Sequence, residues 1–269
     1  HEVPRARGCR AHRGAQLGHK TLRLDVYLTA DELAETDRAG RVIAVIDVLR
    51  ASTSIVTALA NGARAVVPFE DADELMTRAR QFERGDVRLA GERKMLPIDG
   101  FDIGNSPAQF TSAAIDGRTV LLTTTNGTRA LIAAQGATDV VVASYVNLSA
   151  ATAMLRTALR GGTDVVLACC GQDGHYALED AACAGRFVRT VTRRLSGIAM
   201  NDAAHSCALL ARSYGDEIGS IFLDSAHGRA LSQAGFHDDL ALCAAVDAYP
   251  IVPVFAERQI TSLASARER

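Results

Sequence analysis

One local pattern recurs along the chain: a short wholly apolar, β-favouring run, a polar turn, then a helix-forming stretch closed by glycine. Arg41–Asp47 (RVIAVID) has no polar alternation, as expected for a strand buried on both faces of a parallel sheet. Ser52–Asn61 follows with good helix formers, Gly62 suits the C-cap, and Ala65–Pro68 reads as the next strand. The pattern returns as strand Thr119–Thr123, helix Gly127–Ala134, cap Gly136 and strand Asp139–Ala143. It returns again as helix Asn147–Leu159, the Gly161-Gly162 break and strand Asp164–Ala168. Repeated βαβ units imply right-handed crossovers and a mostly parallel sheet. The fold class is therefore α/β, a three-layer α/β/α arrangement, with two intimately packed lobes compatible with the pattern. The second half reads as more helical (Leu178–Arg194, Asp202–Tyr214, Asp216–Leu223), with a short strand Ile251–Val254 closing the sheet.

At 269 residues the chain can bury a substantial core, and no Pro- or Ser-rich linker divides it. A net charge of −2 suggests neither a nucleic-acid nor a membrane-surface partner, and no apolar run reaches the roughly 18 residues of a membrane span. Residues 1–20 are basic through Arg5, Arg7, Arg10, Arg13 and Lys20 and lack the apolar stretch of a secretory signal. They read as a disordered tail, with a targeting role as the alternative, ahead of one domain over 21–269. Six cysteines, none in a C-x-x-C pair, read as free thiols of a cytoplasmic protein. Oligomeric state is left open, a homo-oligomer included.

Ligands of parallel α/β sheets bind beyond the carboxyl ends of the strands, and the turns there are unusually polar in this chain. Asp47-Val-Leu-Arg50-Ala-Ser52 places a carboxylate, a guanidinium and a hydroxyl where a hard cation and an oxyanion can be held. The plainer alternative makes Asp47 a turn former and Ser52 an N-cap. Thr123-Thr-Thr125-Asn126-Gly127-Thr128-Arg129 exceeds what a β–α turn requires and reads as an anion site. Gly91-Glu92-Arg93 opens a long loop reaching Pro107, in which Glu92 is either a further metal carboxylate or a surface charge. Ser106-Pro107 reads as a helix start with Ser106 as N-cap. Glu179 and Asp180 are metal candidates by position, or partners of a helix dipole. Cys170 and His175, which precede them, are catalytic candidates, although a small buried thiol is the commoner fate of such a cysteine. In Ser225-Ala-His227-Gly-Arg229, His227 suits a general acid and Arg229 a phosphate clamp, against an ordinary helix-start turn; Asp238-Asp239 follow.

No P-loop, no strand-following G-x-G-x-x-G, no H-E-x-x-H and no Cys/His zinc spacing occurs. Asp47 also lacks the second aspartate, two residues on, of the common aspartyl-phosphate hydrolases; Leu49 is there.

The ordered set Asp47-Val-Leu-Arg-Ala-Ser52, Gly91-Glu-Arg93, Gly100-Phe-Asp-Ile-Gly-Asn105-Ser-Pro107 and Thr124-Thr-Asn-Gly-Thr-Arg129 resembles the 2-phosphosulfolactate phosphatase family. It continues through Asn147-Leu-Ser149, Leu178-Glu-Asp180, Ser225-Ala-His-Gly-Arg229 and Asp239-Leu-Ala-Leu-Cys243, from about Leu22 to Pro253. The resemblance implies Mg²⁺-dependent hydrolysis of a phosphate ester on a three-carbon acid carrying carboxylate and sulfonate, a step of coenzyme M biosynthesis in methanogens. On that reading Asp47, with Glu92 or Asp180, holds the metal; Asp47, Arg50 and His227 are catalytic. Ser52, Asn105, Thr125, Asn126, Gly127, Thr128, Arg129 and Arg229 then bind a small anionic phosphorylated substrate. The loop Gly171–Tyr176 departs from the family's form, so no role is carried over to His175. A phosphatase for another small phosphorylated acid, a non-catalytic anion-binding module and an isomerase of such an acid remain as rivals. All functional readings require the Asp47, Asn126 and His227 turns to meet in one pocket.

Overall fold

A computed structural model describes residues 21–263; the stretch 1–20, expected as a tail, lies outside the described residues. The strands are β1 (Leu24–Tyr27), β2 (Arg41–Ile46), β3 (Ala65–Phe69), β4 (Val87–Arg93), β5 (Leu96–Pro97), β6 (Thr119–Thr123), β7 (Asp139–Ala143), β8 (Asp164–Cys169), β9 (Pro253–Ala256) and β10 (Gln259–Ser262). The helices are α1 (Ala30–Ala34), α2 (Ala51–Ala60), α3 (Ala72–Ala79), α4 (Ser112–Ile115), α5 (Gly127–Ala133), α6 (Leu148–Arg160), α7 (Leu178–Thr192), α8 (Asp202–Tyr214), α9 (Ile218–Asp224), α10 (Ala226–Gln233) and α11 (His237–Ala244).

One sheet orders these strands β1-β8-β2-β7-β9-β10-β3-β6-β4-β5. Alternate residues of β2 explain its uninterrupted apolarity: Val42, Ala44 and Ile46 enter a core shared with α6, α7 and α9, while Ile43 and Val45 enter one shared with α2 and α5. Helices therefore cover both faces, as the pattern implied. On the long-helix side α7 and α8 pack closely at Gly185, where a Cβ would stand 1.8 Å from the Cys207 carbonyl oxygen.

The sheet holds two parallel groups, β1-β8-β2-β7 and β3-β6-β4, joined through the β9–β10 hairpin by three antiparallel pairings. The seam is thin: β7 meets β9 at two register pairs and β10 meets β3 only at Ile260↔Val66. Four pairings separate β2 from β3, and at a twist of roughly 20–25° each the groups turn well across one another. Three antiparallel steps make the two groups run in opposite senses, yet the segments ending β2 and β8 in one group and β4 and β6 in the other line a common pocket.

Several boundaries differ from the sequence reading. The closing element is the hairpin β9–β10 rather than one strand over Ile251–Val254. Gly91–Pro107 is not a free loop: Gly91–Arg93 complete β4, Leu96–Pro97 pair back on it, and Asp102 and Ile103 lie alongside through Asp102 N–H to Leu89 O, 2.9 Å, and Gly91 N–H to Ile103 O, 3.2 Å. Ser106 stands at the N-cap position of a 3₁₀ turn, Pro107–Gln109, but its hydroxyl caps nothing; it donates instead to Asp239 at 2.6 Å.

Candidate active site

The turn after β2 is built around the Asp47 side chain. Its Oδ1 accepts the Ala51 N–H (3.1 Å), capping the start of α2, while the Ser52 hydroxyl accepts the Asp47 N–H (2.9 Å). Gly127, opening α5, closes on this turn: a Cβ there would stand 2.5 Å from Ala51 Cβ and 2.7 Å from Asp47 Oδ2. Glycine at 127 is thus required by the approach of the two turns to each other. Burial drives the Asp47 carboxyl up to about 6, opposed by His227 and the Ala51 N–H and reinforced by Glu92 and Glu179.

The end of β4 meets the end of β6 through Glu92, whose Oε1 accepts Thr125 N–H (2.7 Å) and Oε2 Met95 N–H (2.8 Å). The first bond fixes the hydroxyl-rich turn; the second fixes the two-residue turn Lys94-Met95 between β4 and β5. The end of β8 is tied in by Asp180, whose oxygens accept Val48 N–H (2.9 Å) and Gly171 N–H (3.1 Å). Buried beside Asp47 and Glu179, the Asp180 carboxyl is pushed well above its ordinary range. Asn126 Oδ1 holds the β8–α7 loop by accepting Asp173 N–H at 3.1 Å.

Ser225 caps α10 through Gly228 N–H (2.9 Å) and sets His227 in its first turn, with Nδ1 3.3 Å from Oε1 of the buried Glu179. Such a carboxylate fixes the imidazole's orientation and leaves Nε2 for chemistry. Arg50 is immobilised on three sides: Nη1 on Asp239 Oδ2 at 2.7 Å, Nη2 on Met95 O at 2.9 Å, and the guanidinium 4.3 Å from the Phe236 ring centroid.

These groups surround a pocket of about 370 Å³ lined by residues that include Asp47, Arg50, Glu92, Lys94, Asn126 and His227. It falls within the roughly 300–1,000 Å³ of small-ligand sites. The required meeting of the Asp47, Asn126 and His227 turns is present. A larger cavity of about 650 Å³ between α3 and the β10–β3–β6 strands has Glu74, Arg78, Glu257 and Arg258 in its lining but no histidine, and all four of these charged side chains are exposed.

Of the residues singled out from sequence, Asp47, Arg50, Glu92, Asn105, Thr125, Asn126 and His227 line this pocket. Ser52 and Thr128 stand behind it, Thr128 exchanging hydrogen bonds with the Thr124 backbone. Asp180 is spent on loop anchoring. Arg129 and Arg229 do not line the pocket: the first pairs with Asp31 on the surface (3.0 Å), the second donates to the Leu223 and Asp224 carbonyls. Both leave the pocket because an exposed guanidinium at a helix start finds acceptors locally. Cys170 is buried, its thiol pushed well up by desolvation, and His175 is exposed outside the pocket lining. Cys183 and Arg189, which share the spacing of the cysteine-phosphatase loop, both lie inside α7, with the thiol buried and likewise raised.

Sequence reasoning missed Lys94, Gln172 and Asp173 in the lining, Glu179 as the partner of His227 and Asp239 as the partner of Arg50. One signal for Lys94 was available: Lys20 and Lys94 are the only lysines in a chain with 29 basic residues.

A doubly grouped α/β sheet with a strand-end carboxylate beside a carboxylate-oriented histidine at a helix start defines an enzyme of small-anion chemistry. The family model for 2-phosphosulpholactate phosphatase matches residues 27–258. A probable 2-phosphosulfolactate phosphatase of Symbiobacterium thermophilum is 41% identical over 225 residues, covering 84% of this chain and 95% of that protein. Proteins of the same description from Pseudothermotoga lettingae (38% over 225 residues; 84% and 94%) and Caldanaerobacter subterraneus (33% over 230; 86% and 94%) are also similar. The chain belongs to the 2-phosphosulfolactate phosphatase family, and its class is phosphoric monoester hydrolase.

Proposed function

We propose that this protein hydrolyses the phosphate ester of 2-phosphosulfolactate to sulfolactate and phosphate, using Mg²⁺ and the pocket described above. The observation that carries the reading is the convergence of the Asp47, Asn126 and His227 turns on one pocket, in a chain of this family.

Among the described residues no three His, Cys, Asp or Glu side chains form a ready metal cage. The donors nevertheless suit Mg²⁺, which commonly takes one or two carboxylates and completes its shell with water and substrate phosphate. Asp47 and Glu92 line the pocket, and two buried oxygens there, Asn105 Oδ1 and Thr125 Oγ1, have no hydrogen-bond partner. Buried oxygens left without a partner are costly, and a bound cation or hydroxyl would satisfy them. Asp47 with Glu92 would hold the ion, Asn105 and Thr125 offering oxygen donors. Bound Mg²⁺ supplies neutralisation of the phosphoryl oxygens and a more acidic water. Asp180, with both oxygens on backbone N–H groups, acts on this reading as the anchor of the β2 and β8 loops.

The chain's own groups account for the rest. Water adds to phosphorus as the ester P–O bond breaks, and the leaving alkoxide takes a proton from His227 Nε2 while Glu179 holds Nδ1. Arg50, already oriented by Asp239, faces the phosphoryl oxygens with its remaining N–H groups. Asp47 either holds the ion or attacks phosphorus itself. Phosphate release from 2-phosphosulfolactate, assayed with Mg²⁺ and with EDTA, tests the proposal. Release only with Mg²⁺ is expected; binding without release in both conditions would support an anion-binding module instead.

A further inference from the structure

We infer that Lys94, held over the pocket by the turn between β4 and β5, binds the substrate's second anionic group, the one remote from phosphate. It thereby sets a preference for phosphorylated acids over plain phosphate esters. The inference deepens the proposed function and rests on it.

The first support is elimination by geometry. A substrate bearing carboxylate and sulfonate besides phosphate needs cations beyond the one that faces phosphate. Arg50 is committed to Asp239 and the Met95 carbonyl, and Arg129 and Arg229 are engaged outside the pocket. Lys94 lines the pocket, is exposed, and has no ion-pair or hydrogen-bond partner among the described residues. It is the uncommitted side-chain cation of that wall.

The second support is the backbone. Arg93 pairs with Leu96 in antiparallel register, leaving Lys94 and Met95 as a two-residue hairpin loop with φ of +50° and +72°. Two-residue loops with both φ values positive favour Asn-Gly or similar pairs, because larger L side chains resist the left-handed region. Here two long side chains occupy it. The conformation is imposed from inside the site: Glu92 Oε2 accepts Met95 N–H, and Arg50 Nη2 donates to Met95 O. Disfavoured backbone held by pocket residues is the arrangement expected where a side chain must be delivered to a ligand.

The third support is residue choice. Lys94 is the sole lysine of the described residues in a chain that otherwise uses arginine. An ammonium on a flexible stem offers three rotatable donors, which suit a trigonal sulfonate or a carboxylate of variable pose better than a planar fork does.

The test compares wild type with K94Q and K94R on three phosphate esters: 2-phosphosulfolactate, 2-phospholactate and isopropyl phosphate, which carries no acid group. For K94Q the ratio of kcat/KM for 2-phosphosulfolactate to that for isopropyl phosphate should fall by about 10- to 100-fold, mainly through KM, as for loss of one charge-assisted contact. K94R should recover part of it. A parallel fall for 2-phospholactate assigns Lys94 to the carboxylate, and a fall confined to the sulfonated ester assigns it to the sulfonate. Inhibition by sulfolactate should weaken in K94Q while inhibition by inorganic phosphate does not, a readout independent of turnover. An unchanged ratio with unchanged sulfolactate inhibition overturns the role of Lys94 and leaves the hydrolase reading standing. A wild type that releases phosphate without preferring the acids also overturns it. Wild type that releases phosphate from none of the three overturns both.

Discussion

Replacing Asp239 with alanine isolates the cost of orienting Arg50. The side chains of Arg50 and Asp239 are 2% and 4% exposed, and Asp239 also accepts the Ser106 hydroxyl at 2.6 Å. Truncation leaves a guanidinium buried without its countercharge and a hydroxyl without its acceptor. Breaking a buried pair from one side costs about 3–5 kcal/mol. Folded domains hold on the order of 5–15 kcal/mol in total, so this is a large share. At roughly 2–4 °C per kcal/mol for a chain of this size, the Tm should drop by about 6–20 °C. Urea unfolding of wild type, Asp239→Ala and the double variant Arg50→Met/Asp239→Leu is the assay. The double variant removes both charges and, despite leaving the Met95 carbonyl unpaired, should cost less than Asp239→Ala alone. A single variant losing under about 1 kcal/mol, or a double variant less stable than the single, would refute the account of Arg50 as a charge held by its partner.

Asp47→Asn should lower phosphate release by roughly 10³-fold or more. The same variant carries a pH signature. With the folded carboxyl raised to about 6 from the ordinary 3.8 of an aspartate, the folded state holds the extra proton between those pH values, so stability falls as pH rises through that window. The loss is on the order of 3 kcal/mol at about 1.4 kcal/mol per unit. Metal-free Asp47→Asn should therefore unfold at higher urea than wild type above pH 6 and lose that advantage near pH 4; equal midpoints at pH 7.5 would contradict it. Glu179→Gln should reduce kcat by about 10- to 100-fold with KM little changed, since it releases His227 Nδ1; a change confined to KM would reject the positioning role. Gly127→Ala forces a Cβ against Ala51 and Asp47 Oδ2 and should cost about 1–3 kcal/mol by thermal unfolding together with most of the activity; a fully active, equally stable variant would refute the close approach of the two turns.

The central strands were legible because each buries both faces, so β2, β6, β7 and β8 appear as unbroken apolar runs. The β4–β5 hairpin was not, because Gly91-Glu92-Arg93-Lys94-Met95 is polar and glycine-led and its turn lacks the Asn or Gly that marks a two-residue loop. Its conformation is fixed by Glu92 and Arg50, and Arg50 is remote in sequence. The turns carrying Asp47 and Thr125-Asn126 were recognisable from their position after apolar strands, a rule of α/β topology, and the His227 turn only from its compact Ser-Ala-His-Gly-Arg polarity between helices. Which way a side chain leaves such a turn was not. Arg129 and Arg229 have the same local setting as pocket residues, yet nearby acceptors, Asp31 and the Leu223 and Asp224 carbonyls, draw them off. Glu179 looked like a dipole partner in a first helical turn, and only the tertiary approach of the α10 start, carried by α9 that packs on α7, turns it into the support of His227.

The same carboxylates that face the pocket, or stand just behind it, also stitch its walls. Asp47 caps α2, Glu92 joins the turn after β6 to the turn after β4, and Asp180 joins the loops after β2 and β8. Each collects backbone N–H groups that would otherwise be orphaned at strand and helix ends, and each keeps an acidic side chain buried at the meeting of two parallel groups whose direct seam is thin. Burial in a water-poor site, with repulsion from neighbouring carboxylates added to it, is why Asp47 and Asp180 sit above their ordinary range. A site arranged this way holds negative charge at a cost to the fold that the proposed cation would relieve. Added Mg²⁺ should accordingly raise the Tm of wild type more than that of Asp47→Asn, and an equal shift in both would place the ion elsewhere.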